Sequence, residues 1–384
     1  MGIQFTPQRQ EALVNGDTSG TLIHPFFVYK ILSLGIHHFT ILENSPPMVL
    51  LHARYIQKFW EELVNIQQGN DHDLKIQSML FLTSGCILAR LVRSAHLCLW
   101  KTCKMLHDAD MRFIPKYGDP PPYSDEVHEK STVLSQILWM ENYLFLTCDG
   151  ARPTLTMRIE EEFRNELPVV YPVLFLVCPL TMRTQGMLLV RDAVLLLEQL
   201  HNSEERPGDW RQSCDNLACS LDDYSDILMI HLGEFEKAND TEGASMIRSN
   251  CIACLAHLAA LYRFVGEMQP SASATMDSLC DAALDNLGNL TQEMKLEEVT
   301  YFDLLLKYSW TRVIKVYDSR INSISVEEGA RLWCWKQVVV EACGDFERRI
   351  PKCEPPILAS LELLEDGRSE GSKYPNLMVL AVEE

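Results

Sequence analysis

Asp222-Asp223-Tyr224-Ser225-Asp226 gathers three carboxylates within about one helical turn. Such a set can hold magnesium, and magnesium can hold a diphosphate, as in the aspartate-rich motif of class I terpene synthases. That chemistry needs a second metal set of Asn, Ser and Glu far downstream. Asn239-Asp240-Thr241-Glu242 comes too soon and at other spacing, and reads as a loop with a helix cap. The three acids therefore read as a solvated helix face. Cys251, Cys254 and His257 are spaced to share one side of a helix. Zinc wants a fourth ligand and usually a turn, and the neighbours here are apolar, so packing in a core is expected.

Other reactive types are arranged less suggestively. His37 and His38 are adjacent and point to different faces of a helix; Cys98 and Cys103, five apart, do not face each other. No glycine-rich phosphate loop, Gly-x-Ser-x-Gly elbow or His-Glu-x-x-His motif occurs. Trp333 and Trp335 bracket Cys334. They could line a pocket for an apolar effector, but closing a core is the expectation. With no catalytic constellation, metal set or cofactor motif, no enzymatic activity is expected. A magnesium-dependent terpene-synthase-like enzyme is the catalytic alternative, and it requires Asp222, Asp223 and Asp226 to line a cavity.

The elements that must position these residues read as helices. Apolar residues recur at Leu189, Ala193, Leu196, Leu197 and Leu200, one face of a helix. They recur again at Ile252, Leu255, Ala256, Ala259 and Tyr262, with Cys254, Leu258 and Leu261 opposite, so that helix is expected to be buried on most sides. A third pattern runs from Phe302 through Leu305, Leu306, Val313 and Val316. Alternating strand patterns are scarce, and the fold class is all-α. Breaks fall at 117–124, where three prolines forbid a helix and Ser124-Asp125 caps the next one, and at 203–208 and 269–273. Residues 1–20 read as an N-terminal tail, 21–350 as a single helical domain, and 351–384 as a C-terminal tail of looser composition.

Composition narrows the partners. Hydrophobic residues at 47% and charged residues at 23% suit a chain with a sizeable core. Against 53 acids stand 34 basic residues, a formal net charge of −19, so the chain is a poor polyanion binder by itself. The thirteen cysteines, without an apolar leader in the first residues, are expected as free thiols in a reducing compartment. The apolar stretch 169–180 is broken by Pro172 and Pro179 and falls short of the ~20 residues of a membrane helix, so no membrane partner is expected.

The helix containing Trp139, Glu141 and Asn142 runs into Gly150-Ala151-Arg152-Pro153, where glycine can close a helix and proline cannot continue one. This ending resembles the signature of the regulatory region of fungal zinc-cluster transcription factors, the middle homology region. Further likenesses precede it in order: Leu22-Ile23-His24-Pro25 leading into Leu34-Gly35-Ile36-His37-His38, then Leu74 to Leu82 with Ile76-Gln77, then Ser94-Ala95-His96-Leu97 running to Met105-Leu106-His107. The amphipathic stretch Met187 to Leu200 is similar to the segment that comes after the signature in that family. The resemblance covers residues 21 to 200 most strongly. Departures are Glu141-Asn142 where the family has Asp-Arg, a pair that ties neighbouring helices together; Met105 in place of a glycine; and Ala151 as an extra residue.

The resemblance implies a helical bundle that responds to a small-molecule effector or a protein partner and controls transcription by RNA polymerase II in the nucleus. It implies structural roles for Trp139, Glu141, Gly150, Arg152 and Pro153, and other transcription proteins as partners. The family's six-cysteine zinc cluster is missing, since no cysteine precedes Cys86. Zinc is thus not expected here, and DNA would be reached only indirectly or through a missing segment. A helical scaffold that binds proteins in a groove is the non-catalytic alternative.

Overall fold

The computed structural model describes residues 7–15, 24–29, 58, 61–63, 65–67, 69, 71–88, 92–147, 155–203, 207–294 and 304–349. Among these the chain is all-α, with no strand. The helices are α1 (Pro7–Val14), α2 (His72–Leu88), α3 (Val92–Asp108), α4 (Asp125–Thr147), α5 (Met157–Asn165), α6 (Leu167–Val170), α7 (Leu174–Val177) and α8 (Pro179–Asn202). Then come α9 (Trp210–Lys237), α10 (Thr241–Met268), a 3₁₀ turn (Pro270–Ala272), α11 (Ser273–Glu293), α12 (Leu304–Ile321) and α13 (Val326–Arg349). The chain divides into two compact units. One comprises 1–141, 154–170 and 351–384, the other 142–153 and 171–350, so the division falls between Glu141 and Asn142 within α4.

The helix boundaries obey local chemistry. Residues 117–124 are non-helical, with Gly118 at φ +83°, and Ser124 Oγ accepts from Val127 N at 3.3 Å to cap α4. Pro179 sits in the first turn of α8, where its missing N–H is no loss. Asn239 turns the chain with φ +55°, and Asp240 then caps α10 by accepting from Gly243 N at 2.9 Å. The reading of Asn239-Asp240-Thr241-Glu242 as loop plus cap therefore holds.

In the first unit α2 packs on α3. Phe26, Phe27 and Phe81 form an edge-to-face cluster with centroids 5.2 to 6.3 Å apart. After α3 the chain turns at Asp110, with φ +46°. Arg112 bridges Asp110 (2.9 Å) and the buried Glu162 on α5 (3.3 Å), and Glu162 also accepts from Phe113 N at 3.2 Å. Burial pushes the Glu162 carboxyl up, and Arg112 pulls against that shift.

In the second unit α10 is central, packed against α8, α9, α11 and α12. Its sequence explains the position. Ala244, Ser245, Ser249, Ala253, Ala256 and Ala259 are small and buried, so four helices can approach closely, while Ile247, Leu255, Leu258 and Leu261 fill the gaps. Each such aliphatic side chain contributes about 2 kcal/mol on burial. By length and composition α10 is apolar enough to cross a membrane, and it is mostly buried against these protein helices. At Met182 on α8, the backbone carbonyl accepts from Tyr224 Oη (2.6 Å, α9) and Asn250 Nδ2 (3.0 Å, α10). Only glycine fits opposite, because a Cβ on Gly186 would lie 2.1 Å from Asn250 Oδ1.

The far side of α10 is closed by α11 and α12, and α13 packs on both of these. Trp310 and Tyr317 of α12 are fully buried and donate to Thr291 Oγ1 (3.2 Å) and Leu284 O (2.7 Å). Asp277, Asp281 and Asp285 succeed one another up α11. Arg263 (3.5 Å) and Arg320 pair with Asp277, Arg320 holds Asp281 with two bonds (2.7 and 3.0 Å), and Arg331 meets Asp285 at 3.1 Å.

Candidate functional site

The family-signature residues are the first place to look. Helix α4 is buried almost all round, and Trp139 and Glu141 lie in its last three turns, both nearly inaccessible. The Glu141 carboxylate accepts from Leu155 N (2.8 Å), Thr156 N (3.0 Å) and the Thr156 hydroxyl. It thereby caps the approach to α5 from the end of α4. Gly150, Arg152 and Pro153 lie outside the described residues, as does the Leu34 to His38 stretch.

Asn142, the next residue, belongs to the second unit and is fully buried. Its Oδ1 accepts from Arg191 Nη1 on α8 at 2.8 Å, and Arg191 also holds Asp192 at 2.8 Å. Asn142 thus meets a cation from 49 residues further along the chain. Sequence reasoning missed this partner, because nothing local to Arg191 marks it.

The first unit also has a cleft of about 900 Å³. It is lined by Asp71 and Asp73 at the start of α2, Asp110 after α3, and Asp125, Glu126 and Glu129 on α4, with Arg9 and Lys130 as the cations. Arg9 pairs with Glu129, and Gln77 Nε2 donates to the same carboxylate oxygen at 3.2 Å. Asp71 is partly used as the cap of α2, accepting from Leu74 N at 3.0 Å. His24 lies on the rim. Burial lowers its pKa, while Glu62, 3.9 Å away, and Asp71 pull it back up. The lining comes from separate elements, so no single stretch of sequence announced it. Its volume suits a small ligand. Its field is negative and favours a cation over an anion.

The remaining sequence candidates fall elsewhere. Asp222, Asp223 and Asp226 are exposed on α9, facing away from the core. Partial burial and mutual repulsion raise Asp222, but the three acids do not line an enclosed cavity. Cys251, Cys254 and His257 sit in the uninterrupted core helix α10, essentially without exposure. Cys251 Sγ contacts Ser225 O at 3.8 Å, and burial pushes its thiol up to about 12. Among the described residues no group of three or more His, Cys, Asp or Glu side chains is placed to hold a metal.

Trp333 needs a correction: it does not close a core but is 54% exposed on α13, as is Cys334 beside it. The reason is register, since Leu332 and Val339 take the inward positions. Trp335 is part-buried and lies flat over Gly288 of α11, where an added Cβ would come within 2.5 Å of the ring.

Comparisons of this chain with protein-family models, with curated proteins and with solved structures give no match.

Proposed function

We propose that this chain is a regulatory helical domain of a fungal transcription factor, responsive to an effector or partner and acting in the nucleus without a zinc-cluster DNA reader of its own. The observation that carries the reading is the Glu141 cap. The resemblance gives the signature acid the task of tying neighbouring helices together, and here a buried carboxylate at that position binds the backbone that opens α5. The order of α2, α3, the proline loop, α4 and α8 along the chain agrees with the order of the family's motifs.

Two surfaces suit the regulatory role. The acid-lined cleft of the first unit fits a small effector, cationic or neutral and polar. On the second unit, α9 exposes Ile227, Met229 and Ile230 among Asp222, Asp223, Asp226 and Glu234. A basic helix with an apolar stripe complements that face. An effector acts by binding one state of the domain better than another.

The test is a fusion of the full chain to a heterologous DNA-binding domain, read by reporter transcription, beside a gel shift with the purified chain. The expected result is altered reporter output, nuclear accumulation and no sequence-selective shift. Salt-sensitive, sequence-selective DNA binding overturns the absence of a DNA reader. Reporter output equal to the unfused control, with exclusion from the nucleus, overturns the whole reading.

A further inference from the structure

Helix α13 keeps its core contacts on one side, where Leu332, Val339, Ala342 and Phe346 are buried. The side directly opposite carries a second stripe: Val326, Ala330, Trp333, Gln337, Val340 and Gly344. A helix face meant only for water is expected to be polar. The spacing of this stripe alternates four and three residues, the heptad period of a coiled coil. Val326, Trp333 and Val340 take the d positions, and Ala330, Gln337 and Gly344 the a positions. The stripe is open. Val326 is 94% exposed, Trp333 54% and Val340 39%; Ala330 is exposed, and Gln337 and Gly344 are half-buried. A Cβ added to Gly344 meets nothing within 4 Å among the described residues.

We propose that α13 is a dimerisation helix: two copies of this chain pair their α13 stripes in parallel and in register. Charge selects this occupant. Glu327 and Glu341 lie exposed along the e edge of the stripe, and Lys336 stands on the g edge, where it also pairs with Asp318 at 2.5 Å. In a parallel pair each g residue faces the e position five residues on in the other copy. Lys336 of each copy then meets Glu341 of the other, twice per dimer. An antiparallel pair sets e against e, so that acids face acids. Shape agrees with charge. In the parallel register Trp333 inserts among positions 330, 334 and 337 of the other copy, and Ala330 and Cys334 are small enough to leave room for the indole. The Gln337 amide both donates and accepts, so it is complementary to itself across a twofold axis. A single polar residue at an a position fixes register and strand number in coiled coils.

Because the stripe lies opposite the core face of α13, the second units of the two copies sit on opposite sides of the helix pair and do not compete for space. From Val326 to Gly344 the seam is about 27 Å long at 1.5 Å per residue. A seam this short makes pairing depend on concentration. The net charge of −19 on each chain opposes approach at long range. At physiological ionic strength the screening length is about 8 Å, so only charges at the seam itself decide the pairing. The inference is independent of the transcriptional reading above, because it rests on α13 alone.

The experiment is sedimentation velocity on the full chain at physiological ionic strength, from micromolar to a few hundred micromolar. Reductant is kept present so that exposed Cys334 cannot link copies covalently. The expected mass rises with concentration from 43.9 kDa toward twice that value. Trp333→Glu, at an exposed position, should keep its circular dichroism and stay monomeric throughout. Glu341→Lys and Lys336→Glu each place like charges across the seam and should weaken the dimer about tenfold or more. Mixing these two variants should restore it as a one-to-one pair, because every facing pair is then of opposite charge. If Lys336→Glu fails to fold, the other two variants decide. A chain that stays monomeric at every concentration overturns the proposal, whether residues 351–384 or another protein cover the stripe. A dimer that survives Trp333→Glu overturns it too, since it uses another surface. A Trp333-dependent dimer that Glu341→Lys leaves intact, or that mixing does not restore, overturns the parallel register.

Discussion

Arg191 Nη1 donates to Asn142 Oδ1 at 2.8 Å, joining α8 to the end of α4 inside the second unit. Asn142 is fully buried, so its amide has no water to fall back on. Hydrogen bonds to a charged group contribute about 1.5 to 3 kcal/mol. A double-mutant cycle with Asn142→Ala and Arg191→Lys, read by urea unfolding, should give a coupling energy of about 1 to 3 kcal/mol. Additive single-mutant effects would mean that the contact contributes nothing.

Glu141 presents the related case on the other side of the division. Glu141→Ala leaves Leu155 N, Thr156 N and the Thr156 hydroxyl without their acceptor. The expected loss is about 2 kcal/mol. Hydrogen exchange at residues 155–160 should accelerate more than at α2 or α3. Uniform acceleration throughout the first unit would instead mean that Glu141 supports the whole unit rather than the start of α5.

Gly288→Ala drives a methyl group into the Trp335 ring, which already lies where a Cβ would be only 2.5 Å away. Overpacking of this kind destabilises by about 1 to 3 kcal/mol. Trp335→Ala should restore tolerance, so that Gly288→Ala in that background costs less than in the wild type. Equal effects in both backgrounds would refute the contact as the cause.

His257 gives the second unit a pH dependence. Its Nδ1–H donates to Ala253 O at 2.8 Å, its ring stacks on Tyr308 with centroids 6.0 Å apart, and its Nε2 has no hydrogen-bond partner among the described residues. Burial, aided by the Arg312 charge, brings its pKa down from 6.5 to about 4, with the Ala253 bond acting the other way. The unfolded chain therefore takes up this proton first as pH falls. The associated stability is complete above pH 6.5 and is lost as pH drops toward 4. Between pH 7 and 4.5 the wild type should lose about 2 kcal/mol more than His257→Gln in chemical denaturation. Parallel pH profiles would exclude His257 as the source.

The elements and the contacts between them were not equally legible in the sequence. The period through Leu189, Ala193, Leu197 and Leu200 and the nearly all-apolar run around Ile252 gave α8 and α10, because burial imposes itself on local spacing. The prolines at 120–122, 172 and 179 marked helix ends for a stereochemical reason. What the sequence hid was pairing at a distance: Arg191 with Asn142, Trp335 with Gly288, and the acids of the cleft. Each depends on which helices become neighbours, and local periodicity does not encode that. Trp333 was misread for a smaller reason, since an aromatic residue next to an inward leucine need not share its direction.

The small-residue surface of α10 also governs how this protein can be made. On the ribosome, α8 and α9 emerge before it, but α11 and α12 arrive only with residues 273–321. Until then, two of its four walls do not exist, and a rod apolar enough for a bilayer stands half bare. Chaperones that grasp greasy nascent segments will engage the chain at this stage. Truncations that end between 268 and 304 should aggregate, while those that end before 241 should stay in solution longer.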